Sequence, residues 1–165
     1  MIEPELIAQA QALLALCRTR KLKIATAESC TGGLVAGTLT EIAGSSDVVE
    51  RGFVTYSNEA KQEMLGVPSA TLASHGAVSR ETAQAMAQGA LARAPVDLAV
   101  AVTGIAGPGG AVPGKPVGLV HFAAAARGGR LIHHERRFGD IGRAQVRWAS
   151  VQQALAMLHE LAQTR

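Results

Sequence analysis

The stretch Thr26-Ala-Glu-Ser-Cys-Thr-Gly-Gly33 decides how this chain folds. A β-prone run over residues 22–26 leads into it and an amphipathic run over residues 34–42 follows it, so the pattern predicts a strand, a tight turn and a helix. This turn would place the Ser29 hydroxyl beside free backbone N–H groups at the start of the helix. A hydroxyl beside such donors suits a nucleophile with an oxyanion hole, or an anion-binding cradle. The alternative is a helix-capping serine or threonine followed by glycines that only pack.

The residues after Ser29 are predicted to contact a ligand. Thr31 lies in the turn, and Gly32 and Gly33 have no Cβ, so a ligand or a second strand can approach the backbone closely. Cys30 is a rival nucleophile, because a helix N-terminus lowers the pKa of a thiol. No histidine is obviously placed to serve Cys30, which favours a role as a small buried hydrophobic residue.

The composition indicates a folded globular protein. With 165 residues, of which 48% are hydrophobic and 18% charged, we expect one domain over residues 1–165. A net charge of +3, aromatic residues at only 3% and no long Lys/Arg run argue against nucleic-acid binding. Two cysteines make no disulfide framework, and the N-terminus lacks the basic region of a signal peptide. No apolar run has membrane-spanning length, so we expect a cytoplasmic protein that does not bind a membrane.

The order of elements predicts a three-layer α/β/α sandwich with a mostly parallel central sheet plus a C-terminal hairpin. The run 98–102 is continuously apolar, as in a central strand covered on both faces. Helices are predicted over 6–17, 34–43, 59–65 (capped by Ser57 or Asn58), 81–93 (capped by Ser79) and from 139 onward, and strands over 22–26, 52–56, 98–102, 117–124 and 131–138.

Polar residues follow three of these strands. If the strands are parallel, their carboxyl ends bring Ser29, Tyr56, Lys61 and Thr103 to one edge of the sheet, where ligands bind in such folds. A lysine removed from water can take the proton of a serine nucleophile, and a tyrosine can orient or relay that proton. The alternatives are a solvated lysine on a short helix and an ordinary strand tyrosine.

Metal and nucleoside-triphosphate chemistry are not predicted. Adjacent His133 and His134 would point to opposite faces of a strand, and the histidines show no metal-ligand spacing. The sequence Gly109-Gly-Ala-Val-Pro-Gly-Lys115 looks like a P-loop, but Pro116 stands where a magnesium-binding Ser/Thr is needed and a strand follows. We expect no metal and no cofactor.

Four motifs follow one another along the chain: Thr26–Gly33, Val54-Thr-Tyr-Ser-Asn-Glu-Ala-Lys61, Gly76-Ala-Val-Ser-Arg-Glu-Thr-Ala83, and Val102-Thr-Gly-Ile-Ala-Gly-Pro-Gly-Gly110 with Lys115-Pro-Val-Gly118. Together, in this order, they resemble the CinA C-terminal domain family, whose active members are nicotinamide-nucleotide amidohydrolases (NMN deamidases). The resemblance extends over essentially the whole chain.

The resemblance implies hydrolysis of the amide of nicotinamide mononucleotide (NMN) to nicotinate mononucleotide and ammonia, a step of pyridine-nucleotide salvage in NAD biosynthesis. Ser29 matches the family's serine, and Tyr56 and Lys61 match its tyrosine and lysine. Thr103 and Gly104 match the loop beside the substrate. With Thr31, Gly32 and Gly33, these residues form the predicted site.

Arg143, near the start of the last helix, completes the predicted site. Arg143 matches the arginine that opens this helix in the family, and Arg147 lies one turn further on. Arginine suits phosphate, and a solvated helix face is the alternative for both residues. The insertion Ile141-Gly142 lengthens the turn before Arg143 and so affects its reach.

Two functions are open at this stage. The family's usual second domain, associated with ADP-ribose pyrophosphatase activity, is absent from these residues, so we expect the stand-alone form, and we expect a homo-oligomer. The first function is a serine amidohydrolase, favoured by the joint presence of Ser29, Tyr56 and Lys61. The second is a non-catalytic nucleotide-binding or competence/damage-associated interaction module. Ammonia release from NMN discriminates between them.

Overall fold

A computed structural model describes residues 1–164 as helices packed on a five-stranded sheet. Within these residues no helix is long and apolar enough to cross a membrane. In chain order the elements are α1 (Pro4–Arg20), β1 (Ile24–Glu28), α2 (Leu34–Thr40), β2 (Val49–Val54), α3 (Asn58–Leu65), α4 (Ser69–His75), α5 (Arg80–Arg93), β3 (Leu98–Gly104), β4 (Leu119–Ala126), β5 (Leu131–Arg137) and α6 (Arg143–Thr164).

The sheet is mixed, with the strand order β2-β1-β3-β4-β5. Strands β2, β1 and β3 run parallel, whereas β4 runs antiparallel to β3 and β5 antiparallel to β4. The predicted α/β class and the C-terminal hairpin are confirmed, but the sheet is parallel in only half of its pairings. The reason lies in residues 105–118, which contain no helix, whereas a parallel return normally needs a helical crossover.

Helices cover both faces of the sheet. Helices α1, α2 and α6 pack together on one face, and α5 packs on the other with α3 and α4 against it. The α5 layer is built from small residues such as Ala87, Ala99 and Ala101, which let α5 approach the strands closely. A Cβ on Gly89 would lie only 2.0 Å from the Leu65 carbonyl oxygen, so α3 sits directly on α5. This packing fixes the position of Lys61 on α3.

Two predicted helix starts are confirmed by their caps. The Ser57 hydroxyl accepts a hydrogen bond from the Ala60 N–H at the start of α3, and the Ser79 hydroxyl accepts one from the Thr82 N–H at the start of α5. Helix α4 was not predicted. It buries none of its residues and so leaves no apolar periodicity in the sequence.

Candidate active site

A cavity of about 280 Å³ opens beyond the carboxyl ends of the parallel strands. The segment after β1 contributes Ser29, the segment after β2 contributes Tyr56 and Lys61, and the end of β3 contributes Thr103. The parallel pairing of β1 with β2 and β3 is what brings these strand ends together, as the sequence predicted.

Lys61 and Ser29 form the buried centre of the cavity. The Lys61 ammonium nitrogen lies 3.1 Å from the Ser29 hydroxyl oxygen, and the lysine side chain is almost completely buried, with 1% of the residue exposed. Burial lowers the pKa of Lys61, because removal from water penalises the charged form. Lysine is therefore buried against the serine and is not on a solvated helix face.

Tyr56 holds this centre through its backbone. Its carbonyl oxygen accepts a hydrogen bond from Lys61 Nζ at 3.1 Å. Its side chain is 60% exposed, and its hydroxyl accepts a hydrogen bond from Arg143 Nη2 at 2.9 Å. The hydroxyl is bonded to Arg143 and not to Lys61 or Ser29, so this placement gives no support to the predicted proton relay through Tyr56.

Arg143 reaches the cavity despite the inserted Ile141-Gly142. Its Nη1 donates to the Gly107 carbonyl oxygen at 2.9 Å, and the side chain lines the cavity at the first residue of α6. Gly142, with φ of +105°, makes the turn that directs the chain into the helix. The arginine thus joins α6 to the glycine-rich loop after β3.

The glycine-rich loop supplies unused backbone donors. Ala106, Gly107, Gly109 and Gly110 line the cavity, and within residues 1–164 their N–H groups are bonded to no acceptor. Such donors next to an arginine suit an anionic group. Within the same described residues, no cluster of three or more His, Cys, Asp or Glu side chains is arranged to hold a metal ion.

The α2 N-terminus differs from the prediction of a free anion cradle. The Glu28 carboxylate accepts hydrogen bonds from the N–H groups of Gly33, Val35 and Ala36 at 2.9–3.2 Å, so these donors are occupied from within the chain. A carboxylate at a helix N-terminus is stabilised by the positive end of the helix. This role of Glu28 leaves no signal in the sequence, because an acidic residue at the end of a strand is not in a capping position.

The three residues predicted to bind substrate in this turn lie outside the cavity lining: Thr31, Gly32 and Gly33. The Gly33 N–H is bonded to Glu28, the Gly32 N–H donates to the Ser29 carbonyl oxygen at 3.0 Å, and Thr31 is fully buried. Their predicted contact with substrate has no support in this placement, since the turn is closed by its own hydrogen bonds.

The end of β3 bounds the cavity on another side. The Thr103 hydroxyl donates to the Ala77 carbonyl oxygen at 2.7 Å, which ties β3 to the loop before α5. Gly104 also lines the cavity, and a Cβ there would lie 2.6 Å from a methyl carbon of Val120. The glycine is thus required by packing against β4.

Cys30 lines the cavity but is poorly suited to attack. Burial raises the pKa of its thiol to about 12, so the sulfur stays protonated near neutral pH. The thiolate is the nucleophilic form of cysteine, and this environment suppresses it. The geometry therefore favours Ser29 over Cys30.

Arg147 lies one helical turn beyond Arg143 but does not line the cavity. Its Nε donates to the Cys30 carbonyl oxygen at 3.1 Å and its Nη2 to the Thr31 carbonyl oxygen at 3.2 Å. The i, i+4 spacing of the two arginines was visible in the sequence. The sequence could not show that Arg143 faces the cavity and Arg147 the Ser29 turn. Both bind backbone carbonyls, and such partners leave no pattern in the sequence.

Comparison with known proteins gives a consistent family likeness. The family model described as CinA C-terminal domain matches residues 7–162. Nicotinamide-nucleotide amidohydrolase PncC of Escherichia coli is 51% identical over 141 residues, which cover 85% of this chain and 86% of that protein. A putative competence-damage inducible protein of Symbiobacterium thermophilum is 58% identical over 118 residues, 72% of this chain and 28% of that protein.

The fold is also that of a solved structure. The crystal structure of the competence/damage inducible protein CihA from Agrobacterium tumefaciens superposes with a TM-score of 0.96 at 56% identity, covering 98% of both chains. Several curated relatives are much longer, and the chain spans only about 26–36% of the length of those that carry competence-damage or CinA-like names.

Proposed function

The chain belongs to the CinA C-terminal domain family, and from this premise we propose that it hydrolyses the carboxamide of NMN to nicotinate mononucleotide and ammonia. Ser29 is the nucleophile and Lys61 its general base in this proposal. The relative of near-equal length that is named as a nicotinamide-nucleotide amidohydrolase supports a hydrolase. The family likeness supports the proposed substrate class, and the geometry supports the proposed roles of the two residues.

The observation that carries the proposal is the 3.1 Å contact between Lys61 Nζ and the Ser29 hydroxyl. A serine hydroxyl is a weak nucleophile until a base takes its proton. Lysine can act as that base only as the neutral amine, and burial lowers its pKa toward that form. Its two side-chain hydrogen bonds go to the Ser29 hydroxyl and the Tyr56 carbonyl, neither of which is a carboxylate that would hold the charged form.

The first half-reaction follows from this pair. Lys61 takes the Ser29 proton as the serine oxygen bonds to the amide carbon, and the carbonyl oxygen becomes an oxyanion. The protonated lysine then gives the proton to the amide nitrogen, the C–N bond breaks, and ammonia leaves. The product on the protein is an ester between Ser29 and the carboxyl group of nicotinate mononucleotide.

The second half-reaction returns the serine. Lys61, neutral again, takes a proton from water, whose oxygen attacks the ester carbon. The ester C–O bond breaks and the proton passes to Ser29 Oγ, leaving a carboxylic acid that ionises and gives its proton to ammonia. One water is consumed for each amide, and no redox partner or metal is needed for the balance.

The substrate phosphate is assigned to the glycine-rich loop and Arg143. Gly107, Gly109 and Gly110, whose N–H groups have no acceptor within residues 1–164, line the same cavity as Arg143, and the Arg143 guanidinium bonds the Gly107 carbonyl. Backbone donors and arginine are the groups that bind a single phosphate without a metal.

Three further expectations stay predictions: cytoplasmic location, homo-oligomeric assembly and one domain over residues 1–165. Arg165 lies outside the described residues.

Ammonia release from NMN tests the proposal. We expect Ser29→Ala to abolish turnover while NMN binding, measured by calorimetry, is largely kept, because the alanine removes only the attacking oxygen. Cys30→Ala is the matched control in the adjacent position and should keep activity. Binding of NMN without ammonia release by the unsubstituted protein would favour the non-catalytic module, and loss of activity only in Cys30→Ala would transfer the attack to the thiol.

A further inference from the structure

Arg147 makes contacts that neither catalysis by Lys61 nor phosphate binding explains. Its guanidinium donates to two consecutive backbone carbonyls, those of Cys30 and Thr31, at 3.1 and 3.2 Å. Both carbonyls belong to the turn that carries Ser29. A planar, rigid guanidinium is well suited to hold two acceptors at fixed positions at once.

The turn is built to admit this side chain. A Cβ on Gly32 would lie 3.3 Å from Arg147 Nη2, which is tighter than most such contacts, so a glycine there keeps the approach open. Gly32 also has φ of +56°, a conformation that side chains rarely adopt. Gly32 was predicted to let a ligand approach the backbone. In the structure it instead leaves room for the Arg147 guanidinium.

Holding a carbonyl also fixes an N–H group. A peptide unit is planar and trans, so its C=O and N–H point in opposite directions. Arg147 bonded to the Cys30 carbonyl directs the Thr31 N–H away from the guanidinium. The preceding unit is fixed in the same way, because the Gly32 N–H donates to the Ser29 carbonyl oxygen at 3.0 Å and so orients the Cys30 N–H.

The backbone donors around the nucleophile differ in their access to the cavity. The Ser29 N–H donates to the Val102 carbonyl oxygen at 2.9 Å and is not available. Within residues 1–164 the N–H groups of Cys30 and Thr31 are bonded to no carbonyl or carboxylate, but only Cys30 lines the cavity, whereas Thr31 is fully buried behind it. Donors next to a nucleophile stabilise an oxyanion only if they are already aimed when the charge develops.

We propose that Arg147 is a positioning residue for the hydrolysis: it fixes the two peptide units that follow Cys30, and so holds the turn in which Ser29 and the Cys30 N–H keep the arrangement that the tetrahedral intermediate requires. The inference rests on the proposed function. It separates the two arginines of α6, since Arg143 faces the substrate and Arg147 acts only through the Ser29 turn.

The test compares Arg147→Met with Arg147→Lys. Methionine keeps an unbranched apolar stem but has no donor, so kcat for NMN should fall about 100-fold, the scale of a small displacement of catalytic groups. KM should stay within about threefold, because Arg147 does not line the cavity. Lysine, which can still donate to one or both carbonyls, should recover part of kcat, and it also serves if the methionine variant does not fold.

Arg127→Met is the matched control. The Arg127 guanidinium also binds backbone carbonyls, those of Leu91, Ala94 and Val96, but at the far end of the sheet from the cavity. This substitution should lower the melting temperature and leave kcat unchanged. An equal loss of kcat in both variants would mean that Arg147 only stabilises the fold in general. A rise in KM with unchanged kcat in Arg147→Met would mean that Arg147 binds the substrate. Either result overturns the proposal.

A second readout separates this inference from the proposed function. The rate at which a fluorophosphonate labels Ser29, followed by mass spectrometry, depends on the nucleophile and its oxyanion donors but not on NMN. We expect Arg147→Met to slow labelling at least tenfold and Arg127→Met to leave it unchanged. If the unsubstituted protein is labelled but releases no ammonia from NMN, the proposed substrate fails while the labelling rates still decide the role of Arg147.

Discussion

At the scale of single residues, the environment of Lys61 decides whether the site can work. A free lysine has a pKa of about 10.4 and is almost fully protonated at neutral pH. The protein buries this one and bonds it to a hydroxyl and a carbonyl, and among the described residues it forms no ion pair with a carboxylate. Burial outweighs the attraction of nearby Glu59. Burial beside Ser29 therefore disfavours its charged form and lowers its pKa.

The pH dependence of activity should report this lysine. Because burial lowers the pKa of Lys61, kcat/KM should rise with pH through an apparent pKa below that of free lysine and then level off. Lys61→Arg should lose at least about 100-fold in kcat, since a guanidinium does not give up its proton. Steady-state rates of ammonia release from pH 6 to 10 measure both effects.

Tyr56→Phe is the control for the pH profile. It removes the hydroxyl that bonds Arg143 but keeps the carbonyl that bonds Lys61, so the apparent pKa should not move. Substantial activity in Lys61→Arg would show that the residue is only an electrostatic partner, and another base would have to be sought. A change in the apparent pKa of kcat/KM in Tyr56→Phe would instead support the tyrosine hydroxyl as a proton relay.

At the scale of elements, the contact between α6 and the glycine-rich loop forms the wall assigned to phosphate. Arg143→Ala should raise KM for NMN about 10- to 100-fold, as expected for the loss of a hydrogen bond to a charged group. It should change KM for the phosphate-free riboside much less. Parallel assays of the two substrates measure the difference, and an equal effect on both would mean that Arg143 has no contact with phosphate.

The elements also show what the sequence can predict. Caps and periodicity are local, so the starts of α3 and α5 were predicted from Ser57 and Ser79 and the buried strand β3 from its apolar run. The direction of β4 was not predictable from its own residues, since a strand reads the same in either direction. It depends on the helix-free connection over residues 105–118, whose path only the tertiary structure reveals.

The candidate site also has features that the sequence predicts and features that it does not. The convergence of Ser29, Lys61 and Thr103 followed from strand order, because the carboxyl ends of parallel strands share one edge. Contacts to backbone carbonyls could not be read from residue types. The carbonyl role of Tyr56 and the contacts of Arg147 therefore appear only in the structure.

At the scale of the whole molecule, a histidine pair joins the two strands of the C-terminal hairpin, with His121 buried and His133 half-buried. His121 Nδ1 lies 2.9 Å from His133 Nε2, on neighbouring strands β4 and β5. A neutral pair shares one proton across this contact, whereas two protonated rings would repel. Burial lowers the pKa of both histidines, and this effect outweighs the attraction of nearby Glu135 and Glu81.

Some charged groups around the pair raise the pKa values of the two histidines, and others lower them. Lys115 and the neighbouring His133 also lower the pKa of His121, and Arg80 and His134 also lower that of His133. The groups come from α5, from β5 and from the loop before β4. Because these groups come from several elements, we expect protonation of the pair to lower the free energy of unfolding of the whole fold.

The free energy of unfolding should consequently fall in mild acid. A histidine whose pKa is lowered on folding binds fewer protons in the folded state, so its contribution to stability is complete above the unfolded pKa of about 6.5 and is lost as the pH falls through the folded values. Urea unfolding at pH 7.5 and pH 5 measures the difference. His121→Gln should make that difference smaller, because one of the two proton-binding rings is gone. His159→Gln, on α6, is the control and should leave the difference unchanged, because His159 is not among the groups that act on the pair. An equal pH dependence in His121→Gln and the unsubstituted protein would mean that the acid sensitivity arises elsewhere in the fold.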